Sequence, residues 1–229
     1  MPIRSHRYQL LVSLLTVALI PICVLIGYQS WLLQAEIRKA EEHQSVSTQQ
    51  IADQIESFVE MHRRGIEAAA FQITQSGERS KEKLDAILVA LYRQFPGFIN
   101  MYFADKRATT LAFHPEFNAR GESMVGADFS FREHFKNLLK EPRTYISPVL
   151  KGIGGTEKLL CTIVAPYFDK SGNFDGFVLG ALDLEKIGTI IKRAGLDKSI
   201  YAVVTDDQGH AIYAPGWSAL NHPEALDIK

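Results

Sequence analysis

The longest apolar stretch of the chain lies near its N-terminus. No charged side chain occurs between Arg7 and Glu36, and the centre of this interval, LLVSLLTVALIPICVLIG at residues 10–27, is long enough to cross a hydrocarbon core of roughly 30 Å as a helix. We therefore predict a transmembrane helix over residues 10–33. A cleaved signal peptide is the alternative, although its apolar region would usually be only about 7–15 residues long.

The charges on either side of this segment predict its orientation. Arg4 and Arg7 precede it, whereas acidic and basic residues are mixed after it. Because basic flanks are retained on the cytoplasmic side, we expect residues 1–9 in the cytoplasm. The sequence thus predicts a single-pass protein of the inner (cell) membrane, with the residues after about 35 in the periplasm or extracellular space.

The next segment has the apolar period of one long helix. Residues 35–75 contain no proline and one glycine, and apolar side chains recur every three or four positions. We predict an exported helix over residues 34–77, whose apolar stripe packs partly on the domain and partly on a second copy in a homodimer. His62 lies in this stripe, where a tolerated polar position is a simpler interpretation than a ligand. The apolar positions of the stripe are Ile51, Ile55, Phe58, Ile66, Ala69 and Ile73.

A shorter helix and five strands follow. The segment KEKLDAILVALYRQF, at residues 81–95, predicts a helix that ends before Pro96. An antiparallel sheet is predicted by five strand-like segments with polar turns between them, which are FINMYFAD, ATTLAFHP, TYISPVL, KLLCTIVAPYF and GFVLGALDL. One further helix is expected between the second and third of these strands, and another, LEKIGTIIKRAG, after the fifth.

A short internal repeat suggests two modules. INMYFADKRATTLAF (residues 99–113) and IYAVVTDDQGHAIY (residues 200–213) each begin with isoleucine, reach an aspartate that opens a polar turn, and end a second strand in an aromatic residue. We predict a membrane-distal module over residues 78–195 and the start of a membrane-proximal module over residues 196–229. The chain would then be a piece of a receptor or a truncated product.

Three stretches carry a resemblance to a known family. They are GADFSFREHF (residues 126–135), APYFDKSGNFDGFVLGALDL (165–184) and the hairpin VVTDDQGHAIY (203–213). With the membrane segment and the long helix, they resemble the double Cache sensor domains of bacterial transmembrane receptors. The resemblance implies an α/β fold with a PAS-like antiparallel sheet packed on a long N-terminal helix. It also implies signal transduction in a chemoreceptor, a histidine kinase or a diguanylate cyclase, with a small extracellular amino acid, amine or carboxylate as the ligand.

The same resemblance implies a set of ligand-binding residues. In family members that bind amino acids, an arginine of the first motif holds the ligand carboxylate, a Trp and a Tyr complete that contact, and an acidic residue takes the ammonium group. Arg132 matches the arginine, His134 and Phe135 stand at the Trp and Tyr positions, and Asp183 lies near the acidic position. The two departures leave the choice between amino acids and other carboxylates open.

The residues around Arg132 support an anion site on their own. Ser130 and Glu133 have the spacing of a capping box, which places Arg132 in the first turn of a helix. The free amides and the positive end of a helix favour an anion there, and a guanidinium adds a planar fork for a carboxylate. An arginine that extends to solvent is the alternative. The expected core face of this helix consists of Phe131, Phe135, Leu138 and Leu139.

Four other candidate residues each have two interpretations. Tyr102 and Tyr145 either point hydroxyl groups into the ligand cavity or are ordinary core residues. Asp183 is either the acidic ligand group or an N-cap for the following helix. His134 either faces the interior, where it would meet a carboxylate, or lies on the helix surface.

Composition and cysteine count exclude several classes of function. The formal net charge of −1 and a pI near 6.7 give no broad positive field for nucleic acid. Cys23 and Cys161 fit neither a disulfide framework nor a metal site. Because no nucleophile–base pair or metal-ligand spacing occurs in the sequence, we predict no enzyme, no cofactor and no metal. The predicted partners are a small-molecule ligand, the membrane and a second copy. The alternative function is a membrane-anchored structural or dimerisation fragment without a ligand.

Overall fold

The computed structural model describes residues 3–152, 158–194, 202–205 and 211–213. The chain divides into two units, residues 1–50 and residues 51–229. The first unit is helical throughout its described part. The second contains the sheet and is the unit that bears the candidate site. Most of the predicted membrane-proximal module, residues 196–229, lies outside the described residues.

The first helix, α1, spans Ile3–Ser76 and so includes residues 34–76 of the helix predicted over residues 34–77. It ends at Gly77, whose φ of +67° and hydrogen bond from N–H to the Ile73 carbonyl (3.0 Å) are typical of a glycine that terminates a helix. The predicted transmembrane segment also falls on α1. Within the described part of the chain, no helix is both long enough and apolar enough to cross a membrane.

From Ile51 onward, the apolar stripe of α1 packs against the core of its own chain. Ile51, Ile66, Ala69 and Ile73 are at most 6% exposed, and the two other stripe positions are partly buried against the same cluster. The part of the predicted packing that lies within the chain is therefore confirmed. The homodimer stays a prediction.

A six-stranded antiparallel sheet forms the centre of the second unit, with the order β2-β1-β6-β5-β3 and β4 also paired with β5. The strands are β1 (Phe98–Asp105), β2 (Thr110–His114), β3 (Tyr145–Ile146), β4 (Leu150–Lys151), β5 (Leu159–Phe168) and β6 (Phe174–Asp183). The other helices are α2 (Lys81–Gln94), α3 (Glu133–Lys140) and α4 (Glu185–Arg193).

The predicted sheet is confirmed, with one difference in its third strand. The segment TYISPVL forms two short strands, β3 and β4, which both pair with β5. Pro148 lies between them and has no N–H to donate to the ladder, so a continuous strand is interrupted there. Ser147 bridges the gap, since its N–H donates to the Thr162 carbonyl and its hydroxyl accepts from the Thr162 N–H, both at 2.8 Å.

The two faces of the sheet bury different clusters. One face, here called the helix face, packs Phe103, Ile163 and Val178 against α1 and α2. The opposite face, called the α3 face, packs Tyr102 and Leu179 against α3 and the loop that precedes it. Because side chains alternate along a strand, neighbouring residues of β1, β5 and β6 serve different faces.

A separate hairpin follows the sheet. β7 (Val204–Thr205) pairs with β8 (Ala211–Tyr213), which confirms the predicted hairpin as far as the described residues extend. The Tyr213 ring packs so closely on α4 that a Cβ atom at Gly188 would lie 2.9 Å from it. A larger residue at this position of α4 would therefore displace the Tyr213 ring.

Candidate functional site

A small cavity lies on the α3 face of the sheet. Its volume is about 40 Å³, whereas one water molecule needs roughly 10–15 Å³ of such space, so it has room for a ligand of only a few non-hydrogen atoms. The cavity is lined by Asn100, Tyr102, Phe113, Met124, Phe129, Arg132, His134, Gly152, Leu160, Thr162, Leu179 and Ala181.

The register of the strands brings together the polar side chains that the sheet contributes to the cavity. Asn100 of β1 pairs with Ala181 of β6, which pairs in turn with Thr162 of β5. Tyr102 lies two residues beyond Asn100 and therefore projects from the same face. The small Ala181 side chain between two polar neighbours leaves space above the sheet at this point.

Arg132 places a cation at the cavity. It is the N-cap of α3, with extended backbone angles (φ −75°, ψ 139°), and its carbonyl accepts the N–H groups of Phe135 and Lys136 at 3.1 Å. In the described ranges of the chain, its guanidinium has no hydrogen-bond acceptor and no carboxylate partner, and none of the described lining residues is acidic. The positive charge therefore favours an anion.

The capping box predicted at this helix start is wrong. The Ser130 N–H donates to Asp128 Oδ1 (2.8 Å), Glu133 pairs with Lys136 (2.7 Å), and α3 has no side-chain cap. The Asp128 carboxylate accepts the Ser130 amide in a tight turn, and α3 begins only at Glu133.

The side chains buried by α3 and the residues before it differ in part from the prediction. Phe135 and Leu138 belong to the core, as predicted, whereas Phe131 and Leu139 are 56% and 58% exposed. The predicted core face was therefore wrong at those two positions. His134 takes a buried position instead and is 4% exposed, so its interior interpretation is the one that the structure supports.

His134 and Tyr102 form a buried uncharged pair beside Arg132. The Tyr102 hydroxyl oxygen and His134 Nε2 lie 3.3 Å apart, and the Tyr102 ring stacks on Phe113 and Phe129. Burial, assisted by the nearby Arg132 charge, lowers the pKa of His134 from 6.5 to about 3. Burial also raises the pKa of Tyr102, although Arg132 acts in the opposite direction. Both groups are neutral at physiological pH.

Thr162 is a functional candidate that sequence reasoning missed. It is 3% exposed, and its Oγ1 has no hydrogen-bond partner among the described residues. Buried polar atoms are nearly always paired, so an unpaired hydroxyl at a cavity wall requires an explanation. The available signal was a hydroxyl residue at an inward-facing position of the otherwise apolar segment LLCTIVAPYF. Asn100 was missed in the same way.

Three predicted site residues lie outside the cavity lining. Phe135 packs in the core against Phe177, with ring centroids 5.8 Å apart, and Tyr145 lies on β3 at the edge of the sheet. Asp183 ends β6, and its Oδ1 accepts the Glu185 N–H at the start of α4 (3.0 Å). Its Oδ2 lies 3.8 Å from Lys158 Nζ. The N-cap of α4 is Leu184, and this helix has no side-chain cap, so the predicted N-cap role of Asp183 is wrong and its carboxylate instead accepts an amide in the turn that leads into α4.

The described part of the chain contains no group of three side chains that could hold a metal ion. Asp169, whose surrounding sequence superficially resembles a calcium loop, accepts the N–H groups of Ser171 and Asn173 at 2.8 and 2.9 Å. These bonds account for its carboxylate as part of the turn between β5 and β6.

Comparisons with solved structures identify the class of fold. No family model and no curated protein matches the chain. It is similar to an extracellular ligand-binding receptor from Desulfohalobium retbaense DSM5692, with a TM-score of 0.66 and 24% identity over 77% of this chain and 31% of that one. The chain thus spans less than a third of that receptor's length.

Two further structures show the same likeness. The ligand-binding domain of the Pseudomonas aeruginosa PAO1 amino acid chemoreceptor PctC, in complex with GABA, matches with a TM-score of 0.58 and 20% identity, over 72% of each chain. The sensor domain of the V. cholerae histidine kinase DctB matches with a TM-score of 0.55 and 18% identity, over 76% of this chain and 66% of that one. The chain therefore has the PAS-like Cache fold of extracellular sensor domains, as the sequence predicted.

Proposed function

We propose that this chain is the extracytoplasmic ligand-sensing region of a transmembrane signal-transduction receptor, and that its ligand is a small carboxylate held at Arg132. The observation that carries the proposal is the Arg132 side chain at the cavity without an acidic neighbour among the described residues. A guanidinium with no counter-charge in a partly buried site is stabilised when an anion binds it.

The neighbouring groups suit a carboxylate. The raised pKa keeps the Tyr102 hydroxyl protonated, so it can donate a hydrogen bond, and neutral His134 adds a polar ring without adding charge. Phe113 and Phe129 cover the apolar side of the cavity. One cation with neutral hydrogen-bonding groups around it favours a ligand with a single negative charge.

The similar structures support a sensing role rather than catalysis, because they are ligand-binding and sensor domains. The apolar segment at residues 10–33 would anchor the region in the membrane, with the sheet outside the cytoplasm. The cavity and α1 lie on opposite faces of one sheet within the second unit. A ligand that favours one arrangement of the sheet would thereby bias the position of α1, in a chain that we propose to be a homodimer.

Thermal unfolding of the full chain in detergent tests this function. We expect acetate, propionate or pyruvate to stabilise the wild type by about 2.7 kcal/mol at a hundred times the dissociation constant, and methylamine to have no effect. Arg132→Ala should abolish this stabilisation, whereas Arg120→Ala, an exposed arginine in the loop after β2, should retain it. If no carboxylate stabilises the wild type, the structural-anchor alternative is favoured.

A further inference from the structure

The α3 face carries a second recognition feature besides Arg132. We infer that the ligand bears an uncharged hydroxyl or keto group next to its carboxylate and lacks an ammonium group. This inference rests on the proposed function, since it assigns the chemical class of ligand to the same cavity. It concerns Thr162 and Asn100, which neither the sequence nor the family resemblance identified.

Thr162 supplies the first observation. Its backbone is fully engaged, because its N–H donates to the Ser147 hydroxyl and its carbonyl accepts the Ser147 N–H. Its Oγ1 is buried at the cavity wall and has no partner in the described ranges. A hydroxyl can donate one hydrogen bond and accept others, so a ligand oxygen at this wall would remove the deficit.

Asn100 supplies the second observation. It lines the cavity in the same row of the sheet as Thr162, on the other side of Ala181. Its amide both donates and accepts, and it carries no charge. Asn100 and Thr162 thus place two uncharged hydrogen-bonding groups on either side of the small Ala181 side chain. Such a pair suits a hydroxyl or carbonyl oxygen of a ligand, because that oxygen needs hydrogen bonds but no counter-charge.

The absence of a carboxylate supplies the third observation. An ammonium group requires an acidic partner when it is buried, and none of the described lining residues is acidic. Asp183, the one candidate from the sequence, lies outside the cavity lining and accepts the Glu185 N–H. A ligand ammonium would also share this small cavity with the Arg132 cation, and like charges at short distance repel. The cavity therefore disfavours amino acids, although the similar PctC domain was solved in complex with GABA.

A matched ligand series tests the inference. Pyruvate, lactate, propionate and alanine share one carbon skeleton and differ only in a keto, hydroxyl, hydrogen or ammonium substituent. We expect isothermal titration of the full chain to show pyruvate or lactate binding about three- to tenfold more tightly than propionate, as one added hydrogen bond provides. Alanine should bind more weakly than propionate.

Variants assign that preference to Thr162. Thr162→Val keeps the side-chain shape and removes the hydroxyl, so the preferred acid should lose most of its advantage over propionate. Thr189→Val is the control, since that exposed threonine bonds to the Glu185 carbonyl on α4 and does not line the cavity. Its ligand preferences should match those of the wild type. The melting temperature of each variant without ligand confirms that it folds.

The outcomes separate the inference from the proposed function. If alanine binds most tightly, or if propionate equals both oxygenated acids in the wild type, the inferred ligand class is wrong while the carboxylate site stands. If Thr162→Val retains the full preference, the assignment of Thr162 is wrong. If no acid in the series binds to the wild type, the inference is overturned together with the proposed carboxylate site.

Discussion

The two faces of the central sheet each bury a histidine and one polar atom without a hydrogen-bond partner among the described residues. On the helix face, one residue has both features: His62 is the buried histidine, and its Nε2 is the atom without a partner. On the α3 face the histidine is His134, and the unpaired atom is Thr162 Oγ1. The same two features therefore occur in two different settings.

The surroundings of the unpaired atoms differ. The His62 ring is packed by Phe58, Phe95 and Phe98, with centroid distances of 4.3 to 5.7 Å, and its Nδ1–H donates to the Phe58 carbonyl (2.7 Å). A Cβ atom at Gly97 would lie 2.3 Å from Nε2, so this side of the ring is closed by the backbone. Thr162 instead borders a cavity with a cation and an amide.

This difference shows how an unpaired polar atom can be interpreted. Against close-packed rings there is no space for a partner, so the unpaired His62 nitrogen is a cost of packing that the surrounding apolar contacts offset. At a polar cavity there is space for a partner, so the unpaired Thr162 hydroxyl indicates a ligand. Three experiments test whether the faces differ in this way.

The largest expected effect comes from adding volume to each face at adjacent residues. Gly180 faces α1, and a Cβ atom there would lie 2.4 Å from the Phe98 ring and 2.9 Å from Ile66. Gly180→Ala should therefore lower the free energy of unfolding by about 3 kcal/mol.

Ala181 is the matched position on the α3 face, where it lines the cavity. Ala181→Val should cost less than about 1 kcal/mol, because the cavity accepts the added methyl groups. Urea unfolding of both variants measures the difference. Equal losses of stability would contradict the contrast between a closed and an open face.

The second-largest expected effect is a loss of folding stability at low pH. The pKa of His134 is lowered to about 3 in the folded chain. Between about pH 6.5 and pH 3, the imidazole is therefore protonated in the unfolded chain but not in the folded chain, which favours unfolding. Stability from this group is complete above about pH 6.5 and falls as the pH decreases toward 3. The expected loss at about pH 5 is on the order of 2 kcal/mol.

His134→Gln removes this titration and isolates its contribution. Between about pH 7.5 and pH 5, the wild type should lose roughly 2 kcal/mol more than the variant in urea unfolding. Burial also lowers the pKa of His62, which is present in both proteins and cancels in the difference. Identical pH dependence in the two proteins would show that His134 is accessible to protons in the folded chain.

The smallest effect is a gain in stability. Thr162→Val replaces an unpaired buried hydroxyl with a methyl group of similar size, so the chain without ligand should become more stable by up to about 1 kcal/mol. Thr189→Val should not stabilise, because that hydroxyl is exposed and already bonded to the Glu185 carbonyl. A loss of stability in Thr162→Val would mean that its hydroxyl is satisfied.

The sequence predicted the elements well because they rest on apolar period and turn residues. The segment FINMYFAD corresponds to β1, and the break in TYISPVL follows from Pro148. The site was only partly predictable. Tyr102, Arg132 and His134 do line one cavity, but the competing Asp128 turn delayed the start of α3 to Glu133 and left Phe131 outside the helix.

The remaining site residues depend on strand register, which no local pattern specifies. Asn100 and Thr162 are far apart in the chain and meet only because β6 lies between β1 and β5. Asp183 has the right residue type, but the first turn of α4 engages its carboxylate. Local sequence indicated which side chains can bind, and the order of the strands determines which of them meet.

Isothermal titration of the wild type, Arg132→Lys and Arg132→Ala with pyruvate tests the central claim most directly. We expect Arg132→Ala to weaken binding by about tenfold to a few hundredfold, because bonds to a charged group are lost. Arg132→Lys should recover only part of the affinity, since a point charge lacks the two-pronged geometry of a guanidinium. If Arg132→Ala binds pyruvate as tightly as the wild type, or does not fold, Arg132 is a structural residue and the proposed site is wrong.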